Sequence, residues 1–391
     1  MSADELGGDR APEAPLERYA NNPSTSTPES GPHDRRSARF AARVVLWRES
    51  SLKRLRSCGR YPVTPGGRVA LRLKNGVAGL AGLASCGSVW ACPVCASKIL
   101  ARRGLEIGLA LTTAMAIGHK LGFLTLTMRH DRGQSLDELW AAGQKGWTRV
   151  TTGRSWALAQ KRCGVTGWVR VWEVTHGSNG WHVHVHVVLV LDGATTPDSF
   201  NEVASGMFQR WSHGLQASGL RAPLVQGQEW HLVGGERAGE DLAGYIASAT
   251  KSGADSMGFE LTHSMPGRAR SGLKTRPPFE LLADLVETGE KRALQLWHEW
   301  ETVSHGKRQI GWSKGLRDLL RVGVEASDEE VAAEELGSAA DDLVVIEADG
   351  WKAMRRHPER IPVLLAATES GRLAGARLQL DLWGDVAYVV A

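Results

Sequence analysis

Hydrophobic and polar residues alternate with two different periods across the middle of the chain. Stretches in which every second residue is apolar predict strands, and stretches with apolar residues three and four apart predict helices. The predicted elements are, in order, a strand over 122–129, a helix over 135–160, strands over 167–176 and 181–191, a helix over 197–215 and a strand over 227–233. This β-α-β-β-α-β order is typical of ferredoxin-like folds, so we predict an α+β protein built on one antiparallel sheet.

The flanking segments have different patterns. Short strands are predicted within 41–87 (ARVVLW and GRVALRL), helices over about 93–120, 239–250, 278–305 and 313–320, and a further strand at DLVVIEA. We therefore divide the chain into a disordered tail (1–40), an N-terminal region with a helix (41–120), the sheet domain (121–255), a basic loop with a helical extension (256–322), an acidic linker (323–340) and a small C-terminal unit of unknown role (341–391).

Charge is distributed unevenly along the 391 residues. The net charge is +4 for the whole chain, but −2 for residues 1–40 and −8 for residues 322–391, which leaves +14 for residues 41–321. A basic middle is expected of a protein that approaches a polyanion such as nucleic acid, although a generally basic surface is the alternative. Short apolar runs, the lack of a signal-peptide pattern at the N-terminus and only five cysteines predict a cytoplasmic protein.

Three histidines alternate along the 181–191 strand. His182, His184 and His186 are two residues apart, so their side chains project from one face of the sheet. If GSNG is a hairpin loop, Glu173 on the preceding strand lies opposite His184, within reach of the same cation. Mixed His and Glu ligation favours Mg²⁺ or Mn²⁺, and Zn²⁺ remains an alternative. The third ligand is either Glu173 or His182.

A second candidate metal site lies nearer the N-terminus. Cys86, Cys92 and Cys95, with Cys58 upstream, have the spacing of a structural zinc site, in which the CPVC segment is the stronger half. Four free thiols are the alternative. Cys163 is left without an assigned role.

One tyrosine is a candidate nucleophile. Tyr245 is one of only four tyrosines, and it follows the histidine strand in a predicted helix. A phenol becomes competent to attack a phosphate when a cation polarises that phosphate. Asp241 lies four residues earlier, on the same helix face, and could act as a base for the tyrosine or for a water. Packing against the sheet is the alternative role for this tyrosine.

Several basic and aromatic side chains are candidates for DNA contact. Lysines and arginines neutralise phosphates without specifying sequence. The candidate set is Lys98, Arg102, Arg103, Lys251, Arg268, Arg270 and Lys274. Trp168, Trp172 and Trp181 could stack unpaired bases, or pack as ordinary core residues.

These motifs together resemble the HUH-endonuclease superfamily. The segments concerned are FLTLT (123–127), VWEVTH (171–176), HVHVHVVL (182–189) and the later tyrosine helix. Within that superfamily the chain is most similar to rolling-circle replication initiators of small plasmids from high-GC Gram-positive bacteria. CGSVWACPVCASKI (86–99), RPPFELL (276–282) and RQIGWSKGLR (308–317) also look like that family. The likeness covers roughly residues 45–322.

The resemblance implies an HUH nicking domain over 121–255 and a role for each site residue. His184 and His186 match the metal-binding histidine pair, and Glu173 matches the acidic residue on the neighbouring strand. Tyr245 matches the nicking tyrosine, which takes the 5′ phosphate and leaves a free 3′ hydroxyl. Asp241 matches a carboxylate that activates water to end a replication round.

The resemblance also implies partners. These are the plasmid origin, single-stranded or cruciform at the nick site, together with a host helicase and a host DNA polymerase. One departure from the family pattern is Ser248, where many relatives have a lysine, and Lys251 is the candidate replacement. A mobilisation relaxase or single-tyrosine transposase remains an alternative, as does a non-catalytic, zinc-stabilised DNA-binding regulator.

Overall fold

The computed structural model describes residues 32–233, 275–334 and 341–391. Helices and strands alternate along these ranges. The helices are α1 (Pro32–Glu49), α2 (Lys53–Ser57), α3 (Pro93–Ala116), α4 (Leu136–Thr151), α5 (Arg154–Arg162), α6 (Pro197–Gln216), α7 (Pro278–Thr288), α8 (Lys291–Ser304), α9 (Leu316–Leu319), α10 (Asp328–Ala333), α11 (Ala348–Arg356) and α12 (Arg360–Trp383). The strands are β1 (Val69–Lys74), β2 (Val77–Ala81), β3 (Lys120–Thr127), β4 (Val165–Gly177), β5 (Gly180–Leu191), β6 (Glu229–Val233), β7 (Thr275–Arg276), β8 (Ile310–Trp312), β9 (Asp341–Ile346) and β10 (Tyr388–Val390).

The larger sheet has the order β6-β3-β5-β4-β7, and β8 pairs with the outer edge of β4. All of these pairings are antiparallel. β4 and β5 form a long hairpin in which Gly177 pairs with Gly180, so that Ser178 and Asn179 make the turn. The chain is therefore a mixed α/β protein with antiparallel sheets, as the alternating pattern predicted.

The two faces of this sheet are covered differently. On one face, Val183, Val185, Val187 and Leu189 of β5 belong to the main core, together with side chains of α4 and α6. On the other face, α3 covers only the half of the strands that is farther from the β4–β5 turn, where Val188 and its neighbours contact the helix. The half of that face nearest the β4–β5 turn carries the histidines.

Helices α4 and α6 pack closely because glycines face each other. A Cβ atom on Gly214 would lie 2.6 Å from the α-carbon of Gly146. Tryptophans fill much of the surrounding core, and Trp172 and Trp181 are almost fully buried. These two side chains are therefore core residues, which removes them from the candidates for base stacking.

The second sheet joins two distant parts of the chain. Its order is β10-β9-β1-β2, so β9 from the C-terminal region pairs with β1, about 270 residues earlier. Val69 and Leu71 share a buried core with Val344, Ile346 and side chains of α12. The prediction of a separate unit over 341–391 is therefore wrong, because its core includes side chains of β1 and β2.

Several predicted boundaries also differ from the structure. ARVVLW is helical in α1, because Ala42 and Leu46 are buried one helical turn apart. The expected tail of 1–40 is accordingly helical from Pro32 onward, and residues 1–31 lie outside the described ranges. The helix predicted over 135–160 is two helices separated at Gly153, whose φ of +87° favours glycine. The predicted acidic linker contains α10.

Two further helices predicted near the C-terminal side are shorter than expected. The helix predicted over 278–305 is divided into α7 and α8 at Gly289, which has a left-handed conformation with φ of +64°. Of the segment 313–320, only Leu316–Leu319 is helical.

Candidate metal centres

The histidine strand β5 lies at the centre of the larger sheet. Its register with β4 places Glu173 directly opposite His184, which confirms the pairing predicted from the GSNG turn. On the other side, β3 places Thr125 opposite His186 and Thr127 opposite His184. Because residues directly opposite one another have Cβ atoms about 5 Å apart, side chains from three adjacent strands meet here.

Three of these side chains converge on one point. Glu173 Oε2 accepts hydrogen bonds from Nε2 of His184 at 2.7 Å and from Nε2 of His186 at 2.6 Å. One ligand atom from each residue lies within 4.8 Å of the others, so the group could hold a metal ion. A cation bound there would take the place of the two Nε2 protons, since neutral imidazoles and a carboxylate are the ligands.

The site is open to solvent and negatively charged at its centre. About half of the Glu173 side chain is exposed, and His186 is exposed to a similar degree, whereas His184 is mostly buried. Desolvation disfavours the charged carboxylate, but the hydrogen bonds from His184 and His186 outweigh it and hold the pKa of Glu173 well below its ordinary value. An ionised carboxylate beside two imidazoles is suited to a divalent cation.

A threonine on the neighbouring strand orients one of the ligands. Thr125 Oγ1 lies 3.1 Å from Nδ1 of His186, so this hydrogen bond fixes which ring nitrogen faces Glu173. Thr125 belongs to no recognisable ligand motif in the sequence, and its alternation with Thr127 in FLTLT is the signal that could have indicated it. Nδ1 of His184 is buried and has no hydrogen-bond partner among the described residues.

His182 lies on the same face but outside the converging group. Its ring packs 5.0 Å from that of His130 and 4.9 Å from that of His184. Burial and these two neighbouring imidazoles lower the pKa of His182 to about 4, which keeps its ring neutral. The structure thus brings Glu173, rather than His182, together with the other two ligands. His130 lies beyond the end of the β3 strand, and no pattern in the sequence pointed to it.

The four cysteines form a second cluster, as their spacing predicted. All four are buried, and their sulfurs could hold a metal ion. The Sγ atom of Cys58 lies 3.7 Å from that of Cys92 and 3.5 Å from that of Cys95, and the Sγ atoms of Cys86 and Cys95 are 3.6 Å apart. Hydrogen bonds among the thiols, led by that with Cys58, lower the pKa of Cys95 well below its ordinary value and raise that of Cys92.

Local structure explains how these sulfurs meet. Cys92 is the N-cap of α3, Pro93 occupies the first helical position, and Cys95 lies in the first turn. Cys58 ends the short helix α2. A helix N-terminus favours negative charge, which suits the thiolate form in which cysteines bind a metal ion.

Comparison with known proteins gives these two clusters a context. Residues 80–208 match the replication protein family. This segment is similar to the replication protein family. It contains Cys86, Cys92 and Cys95 of the cysteine cluster and all three converging residues of the sheet site.

Two proteins of Streptomyces are similar in sequence to this chain. The chain is 29% identical over 359 residues to "Protein rep" of Streptomyces lividans, an alignment that covers 74% of this chain and 76% of the relative. It is 30% identical over 167 residues to "Neomycin resistance protein" of Streptomyces cyanogenus, covering 36% of this chain and 38% of the relative. No solved structure matches significantly. The family match and the first relative confirm the resemblance to plasmid replication initiators.

The basic residues predicted to contact DNA have different environments. Arg103 is buried and pairs with Glu106 and Asp328, so the prediction that it contacts DNA is wrong. Its position on the inner face of α3 is the reason. Arg102 is exposed and pairs with Glu106, and Lys98 is exposed near the cysteine cluster.

The remaining candidates lie outside the described residues. They are Tyr245, Asp241, Lys251, Arg268, Arg270 and Lys274. No helix within the described ranges is both long and apolar enough to cross a membrane.

Proposed function

We propose that this protein initiates rolling-circle plasmid replication by nicking one DNA strand at the origin. The observation that carries the proposal is the convergence of Glu173, His184 and His186 on the sheet of a replication protein domain. The site is exposed enough for a DNA strand to reach it. The proposed activity is that of an HUH-type endonuclease and strand transferase.

The topology of the larger sheet supports this assignment. Across the sheet four strands lie in the order β6, β3, β5, β4, and all neighbours are antiparallel. Numbered by their order along the chain, this is fourth, first, third, second. Helices α4 and α6 are inserted after the first and third of these strands and pack against one face. This order supports the proposed ferredoxin-like βαββαβ core. Such a core leaves the histidine face available for DNA.

The proposed reaction is a transesterification. The phenolic oxygen of Tyr245 attacks the scissile phosphorus, the bond from phosphorus to the 3′ oxygen breaks, and a 5′-phosphotyrosyl bond forms. The 3′ oxygen takes up a proton and becomes the primer hydroxyl, while Asp241 is the proposed acceptor of the phenolic proton. A Mg²⁺ or Mn²⁺ ion held by Glu173, His184 and His186 would polarise the phosphate. Attack of a 3′ hydroxyl on the same phosphate rejoins the strand.

The proposed partners follow from this reaction. The substrate is plasmid origin DNA, presented single-stranded or as a cruciform, and a host polymerase and helicase extend and unwind from the nick. Lys251, Arg268, Arg270 and Lys274 are proposed to contact DNA from the basic segment after β6. At the four cysteines we propose a structural Zn²⁺ ion, which would fasten α2 and the loop after β2 to the start of α3.

The test is a nicking assay on supercoiled plasmid that carries the gene and its flanking sequence, with Mn²⁺ or Mg²⁺. Wild-type protein should give open-circular DNA and a covalent protein–DNA adduct at Tyr245, identified by mass spectrometry. Tyr245→Phe should give neither, whereas Tyr61→Phe, which changes an exposed tyrosine, should give both. An undiminished adduct in Tyr245→Phe would show that another residue is the nucleophile. Specific DNA binding without cleavage in any divalent metal would instead indicate a non-catalytic regulator.

A further inference from the structure

A basic cavity of about 330 Å³ lies between α1, the strands β1 and β2 and the start of α3. Five cations line it, against the single carboxylate of Glu334: Arg36, Arg39, Arg43, Arg72 and Lys98. Arg36 forms an ion pair with Glu369, and Arg72 forms one with Asp342; neither carboxylate lines the cavity. The cavity lies outside the sheet site described above.

Arg43 is the unusual member of this set. It is only 5% exposed, although it carries a permanent positive charge. Its guanidinium carbon lies 4.5 Å from the ring centre of Phe40 and 5.9 Å from that of Trp47. Its Nε is sealed from solvent and has no hydrogen-bond partner within the part of the chain that the structure describes. Across residues 32–233, 275–334 and 341–391, no carboxylate pairs with it.

The backbone beside the cysteine cluster holds this guanidinium in place. Gly59 has a φ of +62°, and a Cβ atom there would collide with the guanidinium group of Arg43. Gly59 directly follows Cys58, and both Cys58 and Cys95 line the same cavity. The position of Arg43 therefore depends on the backbone that the cysteine cluster fixes.

A buried charge without a counter-ion is unfavourable, and contacts with two aromatic rings leave the Nε–H donor unsatisfied among the described residues. An anion with several oxygen acceptors would compensate the charge and accept hydrogen bonds from the guanidinium group. The planar guanidinium fork matches the oxygens of a phosphate group, and Lys98 supplies a further cation at the rim. We propose that this cavity binds a phosphate group, with Arg43 as its principal ligand. The phosphate belongs either to the DNA backbone or to a small free phosphate compound.

The binding test is isothermal titration of the zinc-loaded full chain with pyrophosphate. We expect saturable binding by the wild type and at least tenfold weaker binding by Arg43→Gln. Arg48→Gln is the matched control, because Arg48 is an exposed arginine on the same helix, and it should bind as the wild type does. Equal binding by Arg43→Gln and wild type would overturn the proposal.

A second measurement distinguishes the two sources of phosphate. If the ligand is the DNA backbone, Arg43→Gln should reduce the salt dependence of duplex binding, measured by fluorescence anisotropy, by about 0.9 in the slope of log K against log salt. Pyrophosphate should then compete with the duplex. If the ligand is a free compound, that slope stays unchanged while pyrophosphate still binds. If Arg43→Gln does not fold, Arg43→Lys replaces it in the comparison, provided that this variant still contains zinc. Arg43→Lys should bind pyrophosphate more weakly than the wild type does. A wild-type chain that binds no pyrophosphate and shows no competition would refute the proposal.

Discussion

Replacing Cys95 by serine should remove a metal ion from the cysteine cluster and destabilise the N-terminal region. A tetrahedral zinc ion with Zn–S bonds of about 2.3 Å places its four sulfurs about 3.8 Å apart. Three of the six distances between the sulfurs are 3.5, 3.6 and 3.7 Å, only a few tenths of an ångström shorter. The cluster can therefore accept zinc with little rearrangement, whereas a serine in place of one ligand leaves an incomplete site.

The size of the loss in stability follows from the length of the loop that a zinc ion would close. Cys58 and Cys92 are 34 residues apart, and cross-linking a loop of that length removes about 4 kcal/mol of chain entropy from the unfolded state. In a domain of this size, each kcal/mol changes the melting temperature by about 2–4 °C, so loss of zinc should lower it by about 8–16 °C. Zinc released by a chelator should have the same effect on the wild type.

Metal content and thermal unfolding should be measured on the same preparations. Wild-type protein should contain one zinc ion per chain by elemental analysis, and Cys95→Ser should contain none. Cys163→Ser is the control, because Cys163 is a buried cysteine outside the cluster. Zinc retained by Cys95→Ser, or an unchanged melting temperature of the wild type after chelation, would refute the zinc assignment.

Three other changes test separate parts of the structure. Thr125→Val removes the hydroxyl that contacts His186 and should weaken Mn²⁺ binding by about 10–100-fold in titration calorimetry, while Thr125→Ser should restore it. Burial raises the pKa of Glu106, but hydrogen bonds from three arginines outweigh this and lower it below 4.5. Glu106→Gln should therefore lower the free energy of unfolding by about 1–3 kcal/mol at pH 7, measured by denaturant titration. The difference from wild type should shrink as the pH falls below 4.5. Gly214→Ala should lower the free energy of unfolding by about 1–3 kcal/mol in the same assay, because the added methyl group would meet the backbone of Gly146. Unchanged stability would show that α4 and α6 can move apart without loss.

Local patterns were sufficient for the centre of the larger sheet. The alternation of His182, His184 and His186 and the short GSNG turn depend only on neighbouring residues, so the strand face and the hairpin register could both be predicted. The same alternation misled in ARVVLW, where apolar residues two apart are also compatible with a helix. There, burial of one helical face against the rest of the core decided the outcome.

Local residue patterns were enough to predict the order of the central strands and helices, the face that carries the histidines and the four cysteines that cluster. The folded structure was needed to establish that Glu173, rather than His182, completes the group with His184 and His186, because that depends on side-chain directions across strands. It also decided that β9 pairs with β1 and that Arg103 is buried among carboxylates. These contacts join residues more than 200 positions apart, and no local period in the sequence encodes such a pairing.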